Sequence, residues 1–185
     1  NTFRRGFNLN TWLLQNGYHR LKRPWKQEES ALFDNTDWSK TQAYGVGLNS
    51  LYINESGRER DGIVRPGPDK DNLVHEIARK LEALTDPKTG ERPILRAFVA
   101  KETYHGANVA LAPDIVLGFN RGYRISWQGS LGVVTPELYE ENNQVWSGDH
   151  CSVDPDVVPG ILFSSRPLRK EPRPNMADVP ATIYK

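Results

Sequence analysis

The clearest pattern of hydrophobic positions lies between residues 71 and 85. Apolar side chains recur there at intervals of three and four residues, at Leu73, Val74, Ile77, Leu81 and Leu84. This spacing is that of one face of an α-helix. The sequence therefore predicts a helix that is capped at Asp71 or Asn72 and ends before the turn-forming residues 86–90.

Short apolar runs between turn-forming residues predict buried strands. Three such runs span residues 93–100, 114–119 and 160–165, and alternating patterns predict further strands at 18–21 and 123–127. Because strands that alternate with a strong helix are typical of a sheet covered by helices, the predicted class is α/β.

Helix signals also occur near both ends of the chain. Asn8 or Asn10 can cap a short helix that reaches Gln15, and Asp178 can cap another within residues 176–184. Residues 129–143 are predicted to form a loop with at most one helical turn at 136–141. No internal repeat divides the 185 residues, which are enough for one domain with a real core.

Composition narrows the class of protein. Hydrophobic residues make up 37% and charged residues 25%, so the chain should fold. A net charge of +1 argues against a strongly electrostatic nucleic-acid surface, and no apolar run is long enough to span a bilayer. The single cysteine, Cys151, excludes an intrachain disulfide and is compatible with a cytoplasmic protein.

The strongest candidate for chemistry is His150, in the turn-rich segment 146–159. A neutral imidazole can bind a metal ion, and Asp149, Asp154 and Asp156 are close in sequence. The alternative is a surface loop in which the histidine bonds to backbone and the aspartates cap turns. One histidine is not a metal site, since closed zinc sites need about four ligands.

Four ordered stretches resemble the alkaline phosphatase superfamily, and within it the type I phosphodiesterase and nucleotide pyrophosphatase-like proteins. Residues 146–150 read Trp-Ser-Gly-Asp-His and are followed by Val-Pro-Gly-Ile-Leu-Phe-Ser-Ser at 158–165. The other stretches are Asp-Trp-Ser-Lys-Thr-Gln-Ala-Tyr-Gly at 37–45, Leu-Tyr-Ile-Asn at 51–54 with Gly-Arg-Glu at 57–59, and Ala-Pro-Asp-Ile-Val-Leu-Gly at 112–118.

This resemblance implies a metal-dependent phosphodiesterase or nucleotide pyrophosphatase-like hydrolase that acts on a phosphoester such as a nucleotide. It implies that His150 is one ligand of a centre of two divalent ions, zinc or manganese. The implied fold is the C-terminal part of an alkaline-phosphatase-like three-layer sandwich. In such a fold a mostly parallel sheet is flanked by helices, and part of a cap is inserted.

The opening residues 3–14 resemble the segment that directly follows an Asp-His metal motif in this family. The resemblance therefore implies that the Ser/Thr nucleophile and most metal ligands lie upstream of residue 1, in another part of the same protein. No catalytic residue is then expected within residues 1–185, and this chain alone is expected to be inactive.

Several polar residues near the quoted motifs are candidates to orient a metal ligand or to face the substrate. Turn and strand-edge roles are the alternative for each of them. The candidates are Asp149, Asp154, Asp37, Lys40, Asn54 and His105.

Two other functions stay open at this point. The chain could be a non-catalytic binding or interaction domain that keeps the fold without the site. It could also belong to a phosphomonoesterase, sulfatase or phosphomutase, because the residues that separate these activities would lie upstream. A Ser/Thr nucleophile and an Asp-His pair in the upstream sequence would favour the enzyme.

Overall fold

A computed structural model describes residues 2–25, 32–148, 154–167, 175–176 and 178–184. Within these ranges the chain forms two small sheets and five α-helices, so the predicted α/β class is confirmed. The elements in chain order are β1 (Phe3–Phe7), α1 (Leu9–Gln15), β2 (Ala43–Gly45), β3 (Ser50–Ile53), α2 (Pro68–Glu82), β4 (Ile94–Val99), α3 (Ala100–Thr103), β5 (Ile115–Phe119), β6 (Gly122–Ile125), α4 (Trp127–Ser130), β7 (Tyr139–Glu141) and α5 (Asp178–Ile183).

The larger sheet has the strand order β2-β3-β5-β4, and all its pairings are antiparallel. Its inner face is apolar and buried, as expected when side chains alternate between the two faces of a sheet. Helix α2 contacts β4 and covers this face. The buried residues of the face are Ala43, Leu51, Ile53, Ile94, Ala97, Val99, Ile115, Leu117 and Phe119.

Helix α2 confirms the predicted apolar face. Val74, Ile77 and Leu81 are buried, while Leu73 and Leu84 lie at the edge of the core. The helix begins at Pro68 rather than near Asp71, because a proline at the first helical position needs no hydrogen-bond acceptor.

The smaller sheet has the order β6-β1-β7, with β1 parallel to β6 and antiparallel to β7. Asn10, in α1, connects the two sheets: its side chain accepts from the Gly45 N–H at 2.7 Å and donates to the Gly45 carbonyl at 2.8 Å. The Phe7 ring contacts Phe119 of the larger sheet. The two sheets therefore share one hydrophobic core.

Parallel pairing is limited among the described strands, since only β1 and β6 run in the same direction. The predicted three-layer sandwich with a mostly parallel sheet therefore stays a prediction. Strands β1, β2, β3 and β7 were not predicted, and residues 18–21 form no strand but a single bridge between Leu21 and Thr36. Helix α5 lies where a C-terminal helix was predicted.

The prediction of a buried strand at residues 160–165 is wrong for the described part of the chain. These residues have no regular secondary structure and pair with no described strand. Ile161, Leu162 and Phe163 are 78%, 60% and 90% exposed. The apolar run alone cannot become a strand, because a strand needs a neighbouring edge for its backbone hydrogen bonds.

Candidate functional site

The segment that leads to His150 runs beside the start of β1. Thr2 and Gly148 form an isolated antiparallel bridge. The Phe3 N–H donates to the Ser147 carbonyl at 2.7 Å. Residues 2 and 3 at the start of β1 are therefore next to residues 147 and 148.

Asp149, His150 and Cys151 lie outside the described residues. The roles predicted for them stay predictions. The preceding Trp146 is fixed from two sides: its carbonyl accepts from the Asn142 side chain at 2.9 Å, and its ring lies 5.9 Å from that of Trp127.

Asp154 organises the turn that follows the candidate loop. Its side chain is fully buried, and Oδ1 accepts from the Asp156 N–H at 2.9 Å. Its carbonyl accepts from the backbone N–H groups of Val157 and Val158. Asp154 therefore closes a turn. This is the role that the surface-loop interpretation of residues 146–159 gives to its aspartates.

The same turn contacts the outer face of the larger sheet. Asp154 Oδ2 lies against Gly118 of β5, where a Cβ atom would approach it to 2.8 Å. Asp156 accepts from Arg96 of β4 at 2.6 Å. Asp154 and Asp156 therefore fasten residues 154–158 to β4 and β5.

Asp37 and Lys40 belong to one exposed turn. Asp37 accepts from the Ser39 hydroxyl at 2.6 Å and from Lys40 Nζ at 2.9 Å. The Ser39 hydroxyl and then Lys40 hold the pKa of Asp37 below its usual value. In the structure, the Asp37 and Lys40 side chains bond to each other within this turn. Their role near a metal ion or a substrate stays a prediction.

Asn54 is buried at the end of β3 and connects two loops. Its side-chain amide donates to the carbonyls of Trp38, Thr41 and Asp61 at 2.8–3.1 Å. The structure thus brings Asn54 to the turn that contains Asp37 and Lys40. Their shared function in the structure is to hold this turn against β3.

His105 is exposed in the connection between α3 and β5. The described residues place no side-chain hydrogen-bond partner on its ring. They also contain no group of three or more His, Cys, Asp or Glu side chains that could hold a metal ion. A two-metal centre would therefore need His150 and further ligands from outside the described part of the chain.

The sequence pattern did not single out His19, which has the most strongly shifted pKa among the described histidines. His19 is buried, with Nε2 3.1 Å from the Thr36 hydroxyl, and burial lowers its pKa to about 4. The Phe33 ring lies beside it. His19 is therefore a neutral core histidine near pH 7.

A buried ionic cluster at the start of β5 was also missed. Asp114 accepts from Arg58 at 2.7 Å and from the Ile53 N–H at 2.7 Å, and it lies 2.7 Å from Lys70 Nζ. Burial alone would raise the pKa of Asp114, but the hydrogen bonds from Arg58 and Lys70 outweigh it and lower the pKa. Glu55 also pairs with Lys70 at 2.6 Å.

This cluster joins the loop after β3 to the start of β5 and to α2. Arg58 and Asp114 both lie in stretches that carry the family resemblance, yet they are 56 residues apart. Their pairing follows from the antiparallel contact of β3 with β5, which no local pattern reveals.

No protein-family model, curated protein or solved structure matches this chain. None of the described helices is long and apolar enough to cross a membrane.

Proposed function

We propose that this chain is part of a metal-dependent phosphodiesterase or nucleotide pyrophosphatase-like hydrolase, with His150 as a metal ligand. The proposal rests on the ordered resemblance of the four motif stretches. One structural observation supports it, namely the pairing of Thr2 with Gly148.

The pairing matters because of what the resemblance assigns to each side of it. Residues 3–14 resemble the segment that follows an Asp-His metal motif, and Asp149-His150 resembles the last ligand loop. In this proposal, a motif directly before residue 1 would come close to Gly148, which directly precedes Asp149-His150 in the sequence. Ligands from two distant parts of the sequence could then meet in one centre, as metal sites require.

Two divalent ions in such a centre activate a nucleophile and stabilise the charge on the phosphoryl group and the leaving oxygen. The contribution of this chain is to hold His150 as a neutral imidazole. The turn at Asp154 and the pairing at Gly148 fix the two ends of the segment that carries it.

The test is a hydrolysis assay with the protein extended by the residues that precede Asn1, using bis-(p-nitrophenyl) phosphate and a matching sulfate ester. We expect metal-dependent release of p-nitrophenol from the phosphodiester, and we expect His150→Ala to remove most of it. His75→Ala is the control, because His75 bonds to Glu102 at 2.9 Å on the surface of α2. Equal turnover by the parent and His150→Ala would show that His150 is not a ligand.

A further inference from the structure

An open cleft of about 480 Å³ lies at the start of β1. It is bordered by β1, by the loop after α2 and by the turn that precedes β6. Its volume is within the range of about 300–1,000 Å³ that is typical of small-molecule sites. Its charged lining residues are Arg4, Arg5, Lys88, Arg121, Glu91 and Glu141.

A β-bulge explains how two successive arginines line one cleft. Neighbouring residues of a regular strand point to opposite faces of the sheet. The register of β1 with β6 shifts between Phe3 and Arg5, so Arg4 is the extra residue. A bulge of this kind redirects a side chain, and bulges are frequent beside functional sites.

The floor of the cleft is fixed by ion pairs. Arg5 pairs with Asp86 and with Glu141, and Lys88 Nζ lies 2.5 Å from Glu141. The Tyr123 hydroxyl donates to Asp86 at 3.0 Å. The positive charges of Arg5 and Lys88 are therefore balanced by Asp86 and Glu141, and these side chains are held in place.

Arg4 and Arg121 are different. Both are exposed, and their guanidinium groups have no hydrogen-bond or ion-pair partner among the described residues. The backbone beneath each is fixed: the Arg4 carbonyl accepts from the Asn142 N–H at 2.6 Å, and the Arg121 N–H donates to the Asn120 side chain at 2.7 Å. Two unneutralised guanidinium groups thus face one cleft, and Glu91 is the only lining carboxylate with no cation paired to it in the described part of the chain.

Guanidinium groups bind phosphate oxygens through two parallel hydrogen bonds, which a carboxylate-paired arginine cannot offer as freely. Thr2 lines the same cleft and also pairs with Gly148, just before Asp149-His150. We propose that this cleft is a subsite in which Arg4 and Arg121 bind a phosphoryl group of a small organic phosphate. As a subsite of the hydrolase it rests on the proposed function, but anion binding can be tested separately.

The experiment is calorimetric titration of this protein with ADP, pyrophosphate, inorganic phosphate and adenosine, in buffer freed of metal ions. We expect ADP and pyrophosphate to bind, phosphate to compete with ADP, and adenosine not to bind. The double variant Arg4→Gln/Arg121→Gln should weaken ADP binding by about tenfold or more, since charge-assisted hydrogen bonds are lost.

The control is Arg60→Gln/Arg65→Gln, which removes the same charge from two exposed arginines that do not line the cleft. This pair should change ADP affinity by less than about twofold, because neither side chain lines the cleft and salt screens the interaction of exposed charges with the ligand. Glu91→Gln should tighten ADP binding, a result that unfolding cannot produce.

If both double variants weaken ADP binding equally, the loss is due to general surface charge, and the subsite proposal is wrong. Adenosine binding as tight as that of ADP would also overturn it. The two proposals fail separately. ADP binding without phosphodiester turnover would leave an anion site and remove the hydrolase, whereas turnover with ADP affinity unaffected by the cleft variants would remove only the subsite.

Discussion

Apolar side chains are buried in the larger sheet, whereas those of the segment 154–167 are largely exposed. Leu51 in β3 is fully buried between strands and helices, whereas Leu162 is 60% exposed. The sequence pattern predicted a buried strand around Leu162 but none around Leu51. The difference shows that a hydrophobic run predicts a need for burial but does not supply the surface that buries it.

The two regions also differ in their polar contacts. The sheet closes around the buried cluster of Asp114 with Arg58 and Lys70. The segment 154–167 is fastened mainly by Asp154 and by the exposed pair between Asp156 and Arg96. Local stability should therefore fall from the sheet to the segment, because the apolar side chains of residues 161–163 are exposed and the exposed ion pair of Asp156 contributes little.

The largest expected effect is on the free energy of unfolding, when one leucine in each region is replaced by alanine. Leu51→Ala should lower the free energy of unfolding by about 2–5 kcal/mol, since it leaves a cavity in the core. Leu162→Ala should change it by less than about 0.5 kcal/mol. Urea denaturation of both variants measures this, and a cost for Leu162→Ala close to that for Leu51→Ala would erase the contrast.

The proposed function sharpens the same comparison. If residues upstream of Asn1 complete the fold, they would offer an edge to residues 160–165. Leu162→Ala should then become costly in the extended protein, by about 2 kcal/mol or more. An equally small effect in both lengths of chain would mean that the run stays exposed.

The second effect concerns two aspartates. Asp114→Ala should cost about 3 kcal/mol, the lower end for a broken buried pair, because Glu55 and Glu59 still contact the stranded cations. Asp156→Ala should cost less than about 0.5 kcal/mol, since its ion pair is exposed. Denaturation at pH 7 gives both values, and the reverse order would contradict the account of the cluster.

The third effect is a pH dependence of stability that comes from His19, which is buried. The pKa of His19 is about 4 when folded and about 6.5 when unfolded, so the unfolded chain binds more protons between these values. Stability due to a neutral His19 is therefore complete above pH 6.5 and is lost as the pH falls toward 4. At about 1.4 kcal/mol per pH unit, the loss is about 3 kcal/mol.

His19→Gln is the variant that isolates this loss. Its free energy of unfolding should fall less steeply between pH 6.5 and 4 than that of the parent. His75 should not contribute in this direction, because the hydrogen bond to Glu102 raises its pKa. Parallel pH profiles for the parent and His19→Gln would show that folding does not lower the pKa of His19.

Local patterns predicted the elements whose apolar residues face one shared core. Strands β4 and β5 were found within one residue of their actual ends, whereas the N-cap of α2, Gly67, lies four residues before the predicted cap at Asp71. Strand β1 was not predicted because Arg4 and Arg5 interrupt its apolar pattern. Arg5 is buried where it pairs with Asp86, which is 81 residues away in the sequence. Strand β7 escaped because two of its three residues are glutamates.

The candidate site was less predictable, for a related reason. The roles of Asp154 and Asn54 depend on which backbone groups come within hydrogen-bond distance, and these come from other elements. The cleft beside β1 depends on a bulge and on a turn before β6 that no single stretch encodes. Spacing along the chain identifies residues able to do chemistry, but tertiary contacts decide which of them meet.

The most direct test of the central claim is metal content, measured by mass spectrometry on the extended protein purified without chelators. The account predicts two divalent ions per chain in the parent and in His105→Ala, and a loss of one ion in His150→Ala. The same metal content in the parent and in His150→Ala, or a parent that binds no divalent ion, would contradict it.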